Sequence, residues 1–167
     1  TAKAIEALRQ ALRIDPAYDE AWNNLGNAYG GNGETAKAIE AFQQALRINP
    51  KYAKAWNNLG VAYGESGQSV KAIEAFRQSL RIGSEQASVW NNLAVTYKKH
   101  GQTAEAIEAY REALRINPVY VKALFGLGVA SAESGQTKEV REIYRKLRTL
   151  DSTAAEEFSR RIPLTGK

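Results

Sequence analysis

Three pairs of neighbouring asparagines recur at a constant spacing of 34 residues. They are Asn23-Asn24, Asn57-Asn58 and Asn91-Asn92, and Asn27 follows the first pair by one helical turn. An amide side chain offers two N–H donors and a carbonyl acceptor, so a row of amides suits the backbone of a bound peptide of any sequence. The spacing therefore predicts a binding surface rather than a reactive one.

Residues that perform covalent or metal chemistry are scarce. The chain has no cysteine, which excludes thiol nucleophiles, disulfides and cysteine metal sites, and its single histidine, His100, has no second histidine to accompany it. The acidic residues recur at fixed positions of the period, so a structural repeat explains their spacing before catalysis does. The sequence predicts a non-catalytic protein with no catalytic residues, no metal and no cofactor.

Composition and charge narrow the class of partner. The chain is 44% hydrophobic and carries a formal net charge of +5, with acidic and basic residues interspersed. A dedicated nucleic-acid binder shows a stronger or more clustered basic excess. No apolar run approaches the roughly 18 residues that a membrane span requires. We therefore expect a protein partner, no nucleic acid and no membrane span. The sequence does not identify the cellular compartment, and we expect the cytoplasm.

The elements that carry the asparagines read as helices in pairs. Apolar residues recur every three or four positions from Trp22 to Tyr29 and again from Ala38 to Ile48, and Pro50 ends the second stretch. A glycine, Gly33, separates the two stretches and recurs at 67, 101 and 135, which predicts a left-handed turn between the helices of each pair. A short turn makes the two helices antiparallel, and a period of 34 residues is typical of a solenoid.

One repeat also carries a known pattern of residue types. Its members are Trp22, Leu25, Gly26, Tyr29, Ala38, Phe42, Ala45 and Pro50. This pattern resembles the tetratricopeptide repeat, of the kind found in bacterial arrays. The resemblance implies an all-α fold: a right-handed superhelical solenoid of antiparallel helix pairs. It also implies that the first helices line a concave groove, which holds an extended peptide or a helix of a partner protein.

The repeats predict the division of the chain. Residues 1–18 are expected to be the second helix of a truncated repeat, because Thr1 falls inside a motif, and we expect the chain to be a fragment of a longer array. Full repeats are expected at 19–52, 53–86 and 87–120. A degenerate repeat follows at 121–154, where Leu124 and Ser131 replace the tryptophan and tyrosine. A capping helix and tail are expected at 155–167.

The candidate groove residues come from the first helix of each pair. The amides are Asn23, Asn24, Asn27, Asn57, Asn58, Asn91 and Asn92; the apolar members are Val61, Val95 and Phe125, with Val129 beside them; the charged members are Lys54, Lys98 and Lys122. Phe125 is the best candidate for an anchor. Alternatively, Phe125 packs against Phe158 of the capping helix, and the asparagines are solvated or support packing.

The sequence thus predicts an interaction scaffold, with two alternatives. The first is self-association, in which Ile5, Leu8 and Leu12 of the exposed N-terminal helix bury against a second copy and make a homo-oligomer. The second is an accessory array within a larger enzyme.

Overall fold

A computed structural model describes residues 2–83 and 85–162 of the chain. Throughout these two stretches the regular structure is helical, and no strand occurs in them. The chain divides into two compact units, Thr1–Ser84 and Glu85–Lys167. The first unit contains α1 (Ala2–Ile14), α2 (Asp19–Gly30), α3 (Thr35–Ile48), α4 (Ala53–Glu65) and α5 (Ser69–Ile82). The second contains α6 (Ala87–Lys99), α7 (Thr103–Ile116), α8 (Val121–Glu133), α9 (Thr137–Leu150) and α10 (Ser152–Arg161).

Helix pairs are the building block of both units. In the first unit α2 packs on α3 and α4 on α5, while α3 also packs on α4. In the second unit the pairs are α6 with α7 and α8 with α9. Each helix buries one face because its apolar residues recur every three or four positions. Leu25, Phe42, Leu59 and Phe76 are buried members of the first core.

The turn inside each pair depends on a glycine. Gly33, Gly67, Gly101 and Gly135 have φ of 78°, 76°, 80° and 74°. These are values that L side chains rarely adopt, so the left-handed turn predicted at this position is confirmed in all four pairs.

The tryptophans of the repeats lie at the edge of the core rather than inside it. Trp22 and Trp56 are half-buried. Trp22 Nε1 donates a hydrogen bond to the carbonyl oxygen of Pro16, and Trp56 Nε1 donates to that of Pro50, each at 2.9 Å. The indole therefore ties each first helix to the turn before it.

The second unit closes with α10, which begins earlier than the sequence predicts. Asp151 caps this helix, because its side chain accepts a hydrogen bond from the backbone N–H of Ala154 at 2.9 Å. Phe158 of α10 is fully buried. A Cβ placed on Gly128 would lie 2.4 Å from its ring, so glycine at this position admits the ring. The tail expected at 163–167 lies outside the described residues.

None of the helices in the two described stretches is both long and apolar enough to cross a lipid bilayer.

Candidate functional site

The amides of the first unit bind one another. Asn58 Nδ2 donates to Asn23 Oδ1 at 3.0 Å and to Asn27 Oδ1 at 3.1 Å, which links α4 to α2. Both N–H groups of Asn58 are therefore engaged, and Asn23 is 0% exposed. The expectation that Asn23 faces a groove is wrong, because the neighbouring helix covers it. Asn58 is half-buried, and its N–H donors are used within the protein rather than left free for a peptide; its place in a groove stays a prediction.

The other predicted residues of the first unit lie at or near its surface. Asn24, Asn27, Lys54 and Val61 are exposed, and Asn57 is half-buried. None of these five lines the hollow that the first unit does contain. This hollow has a volume of about 600 Å³, and Trp22, Leu25 and Tyr29 form part of its wall.

Three cations line the hollow of the first unit, and they differ in their pairing. Arg9 donates from Nε and Nη2 to the hydroxyl oxygen of Tyr29, at 3.0 and 2.8 Å. Lys37 forms an ion pair with Glu34, and Glu40 adds a carboxylate to the wall. Of the three basic residues that line this hollow, Lys37 has an acidic partner, Arg9 binds a neutral hydroxyl, and Arg13 has no ion pair within the described residues.

A smaller pocket in the second unit brings three predicted residues together. Its volume is about 310 Å³. The predicted residues in its wall are Val95, Lys98 and Phe125, and the others are Lys99, Tyr110, Gly126, Val129 and Arg161. We call this set the basic pocket. It combines an apolar and aromatic floor with three cations, which is the composition expected of a binding site for an acidic and apolar ligand.

Tyr110 forms part of the floor of the basic pocket, and its ring packs against a different helix from the one that the equivalent aromatic ring contacts in the first unit. In the first unit the ring of Phe42 lies against Gly26, so that a Cβ there would be 2.5 Å from it. Ala94, at the equivalent position of α6, carries a Cβ of its own. Tyr110 of α7 instead lies against Gly126 of α8, where a Cβ would be 2.4 Å from its Cζ and 2.6 Å from its hydroxyl oxygen.

Burial affects the chemistry of this tyrosine. Its side chain is buried, and burial, assisted by the negative charge of Glu133, raises the pKa of Tyr110 to about 12. The phenol therefore remains a hydrogen-bond donor at neutral pH.

The cations around the basic pocket differ in their pairing. Lys98 Nζ forms an ion pair with Glu133 at 2.8 Å. Lys99 and Arg161 are exposed, and neither has an ion pair or side-chain hydrogen bond with any residue in the described part of the chain. Two positive charges thus remain for a ligand.

Phe125 lies between the pocket and the cap. Its ring meets that of Phe158 edge to face, with centroids 5.5 Å apart and planes at 83°. The ring of Phe158 also stacks on that of Tyr144 at 6.4 Å. Packing of Phe125 on the capping helix, the alternative in the sequence analysis, is therefore observed. Phe125 is nevertheless only half-buried, and it lines the pocket as well.

The remaining predicted residues of the second unit lie apart from the pocket wall. Asn92 is half-buried and Lys122 is exposed. Asn91 is only 7% exposed, and its Oδ1 is buried without a hydrogen-bond partner. The expectation that Asn91 stands on an exposed stripe is therefore wrong.

Sequence reasoning missed Tyr110 and Arg161. Tyr110 lies on a second helix, whose apolar residues the repeat assigns to packing, and Arg161 lies on the cap. One signal was present in the sequence. Ala94 replaces the glycine found at 26 and 60, and Gly126 replaces the asparagine found at 24, 58 and 92. Because of these two exchanges, the residue that leaves room for an aromatic ring is on α8 rather than on α6.

Within residues 2–83 and 85–162, no group of three or more histidine, aspartate or glutamate side chains is arranged to hold a metal ion.

Comparison with family models decides the family. The tetratricopeptide repeat model matches residues 19–52 and 87–120, and two further models of the same repeat match 1–33 and 41–74. Together they cover more than half of the chain. The chain is a tetratricopeptide repeat protein. Its fold class is therefore the all-α helical solenoid expected from the period. Proteins of this family are generally non-catalytic scaffolds.

Solved structures of other tetratricopeptide repeat proteins have the same fold. A crystal structure of MamA is 26% identical in sequence, and the aligned region covers 91% of this chain and 89% of the MamA chain, with a TM-score of 0.84. A second MamA structure is 25% identical and covers 98% of this chain and 86% of its own, with a TM-score of 0.80. YrrB, described as a TPR protein with an unusual peptide-binding site, is 20% identical in sequence. The aligned region covers 94% of this chain and 84% of the YrrB chain, with a TM-score of 0.80. A search of curated protein sequences finds no significant match.

Proposed function

We propose that this protein is a non-catalytic interaction scaffold that binds an extended segment or a helix of a partner protein. The binding surface is the face that α6 and α8 present around the basic pocket. Membership of the tetratricopeptide repeat family supports the scaffold role. The basic pocket supports the position of the binding surface.

The observation that carries the proposal is apolar surface left open beside unpaired charge. Val95 is 36% exposed and Phe125 is half-buried, although both have apolar side chains. Lys99 and Arg161, at the rim of the same pocket, have no acidic partner within the described residues. Exposed apolar surface with a polar rim is typical of sites that bind another protein.

Selection of short peptides tests this proposal. Phage-displayed random peptides are panned on the purified chain, and the enriched peptides are synthesised and titrated by fluorescence anisotropy. Phe125→Ala should weaken the enriched peptides about tenfold or more, because a half-buried aromatic anchor commonly contributes over 1 kcal/mol. Val70→Ala is the matched control, since Val70 is 67% exposed on α5. Enriched peptides that bind Phe125→Ala as tightly as the original chain would contradict the proposed surface.

Self-association through α1 is a second candidate with narrower support. Leu12 is buried, while Ile5 and Leu8 are half-buried, so the three residues named by the sequence analysis offer little free surface. Ile14 at the end of the same helix is 88% exposed, and Tyr18 is 46% exposed. If this end mediates a dimer, Ile14→Asn should shift the mass measured by light scattering from dimer to monomer. A chain that is monomeric before the substitution rules this candidate out.

A further inference from the structure

We infer that the basic pocket selects an acidic segment of the partner protein. An apolar side chain of that segment lies on the floor, and a neighbouring side-chain carboxylate meets Lys99 and Arg161. This inference rests on the proposed function and adds to it the chemistry of the bound segment.

Charge at the rim favours a carboxylate. The three cations of the pocket are Lys98, Lys99 and Arg161, and the only acidic partner that any of them has in the described residues is Glu133, bound to Lys98. Lys99 lies at the end of α6 and Arg161 at the end of α10, so two different helices supply the unpaired charges. A negatively charged group that approaches the floor therefore meets positive charge from two sides.

Size and polarity of the floor limit the apolar side chain. A pocket of about 310 Å³ lies at the lower end of the range for ligand sites. It thus suits one large side chain of a segment rather than a folded surface. The Tyr110 hydroxyl is a protonated donor at the same floor, available to a carbonyl or carboxylate oxygen of the segment.

The experiment uses an array of short synthetic peptides, acetylated and amidated so that no terminal charge remains. Each has one central Phe, Leu or Trp, flanked by Asp, Asn or Lys, and each is titrated against the full chain by fluorescence anisotropy. The Asp-flanked peptides should bind about fivefold to tenfold more tightly than the Asn-flanked ones. In Lys99→Gln/Arg161→Gln this ratio should fall to about one. Lys122→Gln is the control, because Lys122 lies on α8 but does not line the pocket.

The outcomes separate this inference from the proposed function. Asp- and Asn-flanked peptides that bind equally, or a preference that survives Lys99→Gln/Arg161→Gln, overturn the acidic segment. If such binding is still lost in Phe125→Ala, the proposed function stands. If no peptide in the array binds, the inference fails, and panning then decides the proposed function alone. A short single-stranded oligonucleotide serves as a competitor of the Asp-flanked peptides. If it displaces them at a lower concentration than unlabelled peptide does, the pocket binds phosphate, and the proposal of a protein ligand is overturned.

Discussion

Tyr110 occupies the space in which a side chain of residue 126 would begin. A Cβ placed on Gly126 would lie 2.4 Å from Cζ of Tyr110, 2.5 Å from Cε1 and 2.6 Å from the hydroxyl oxygen. These atoms belong to a buried aromatic ring rather than to the end of a flexible chain, so they have little room to move. One residue on α7 and one on α8 thus form the pocket floor together.

Gly126→Ala should therefore destabilise the second unit by about 1–3 kcal/mol, the usual range for a side chain forced into a packed site. The loss would be measured by urea denaturation. Tyr110→Leu/Gly126→Ala should recover part of it, because leucine removes the ring. Gly64→Ala is the matched control: a Cβ on Gly64 meets nothing within 4 Å, and alanine favours the helix by up to about 1 kcal/mol. Equal effects of the two alanines would contradict the contact.

The raised pKa of Tyr110 predicts a dependence of stability on alkaline pH. Its folded pKa of about 12 exceeds the ordinary tyrosine value of 10.0, so the folded state keeps the proton where the unfolded state loses it. This contribution is fully present below about pH 10 and is lost as pH rises through 12. The total is on the order of 2–3 kcal/mol. Between about pH 10 and 12 the denaturation midpoint should fall less steeply with pH in Tyr110→Phe than in the original chain. Parallel curves for the two proteins would show that the Tyr110 phenol does not cause the loss of stability.

Asn58 should matter to folding more than its half-buried position implies. Asn58→Leu removes both hydrogen bonds that join α4 to Asn23 and Asn27 of α2. It leaves Asn23 buried without a partner, which we expect to cost about 1–3 kcal/mol in chemical denaturation. Asn24→Leu is the control. Asn24 is exposed and makes no side-chain hydrogen bond within residues 2–83 and 85–162, so its loss should stay within about 0.5 kcal/mol. A small effect at Asn58 would show that water replaces the bonds.

A substitution at Gly101 tests the cost of the left-handed backbone conformation alone, because a side chain there would contact no other residue. Its φ is 80°, and a Cβ there would meet nothing within 4 Å. Gly101→Ala should lower stability by about 1–2 kcal/mol through the left-handed conformation alone. Gly101→Asn should cost less, because asparagine tolerates this region better. Thermal unfolding measures both, and an alanine that costs no more than asparagine would place the turn in another conformation.

The fourth pair of helices replaces a tyrosine by a hydrogen-bonded triad. Ser131 Oγ donates to Glu139 Oε2 at 2.6 Å, and Arg111 Nη2 forms an ion pair with Glu139 Oε1 at 3.0 Å. The hydroxyl of Ser131 is buried, so Glu139→Ala should cost about 1–3 kcal/mol in chemical denaturation. Glu108→Ala removes an exposed partner of the same arginine and should cost under about 1 kcal/mol. Similar losses in the two variants would show that Ser131 has found another acceptor.

Much of the local structure was predictable because its causes lie within one repeat. The apolar positions recur with helical spacing, and the turn glycines recur every 34 residues, so both the helix pairs and the left-handed turns could be derived from neighbouring residues. The start of α10 was less predictable. Asp151 and Thr153 can both cap a helix, and the structure uses Asp151.

The candidate site was predictable only in part. Val95, Lys98 and Phe125 were found because they lie on first helices and remain unused by the repeat pattern. Asn23 and Asn91 occupy equivalent positions in equivalent helices, yet Asn23 Oδ1 accepts a hydrogen bond from Asn58 and Asn91 Oδ1 has no partner. The residue at the position equivalent to Asn58 is Gly126. The difference lies on another helix more than thirty residues along the chain, and no pattern within one helix reports it.

The amino-acid sequence by itself determined the repeat, the helix pairs, the glycine turns and the lack of cysteine chemistry, because each depends on residue type and spacing along one segment. Only the tertiary structure decided which amides are buried, which ring lies against which glycine and which cations remain unpaired. Those outcomes depend on which side chains from separate helices compete for the same space. Ala94 excludes a ring from one position and Gly126 admits it at another, and the basic pocket is the result.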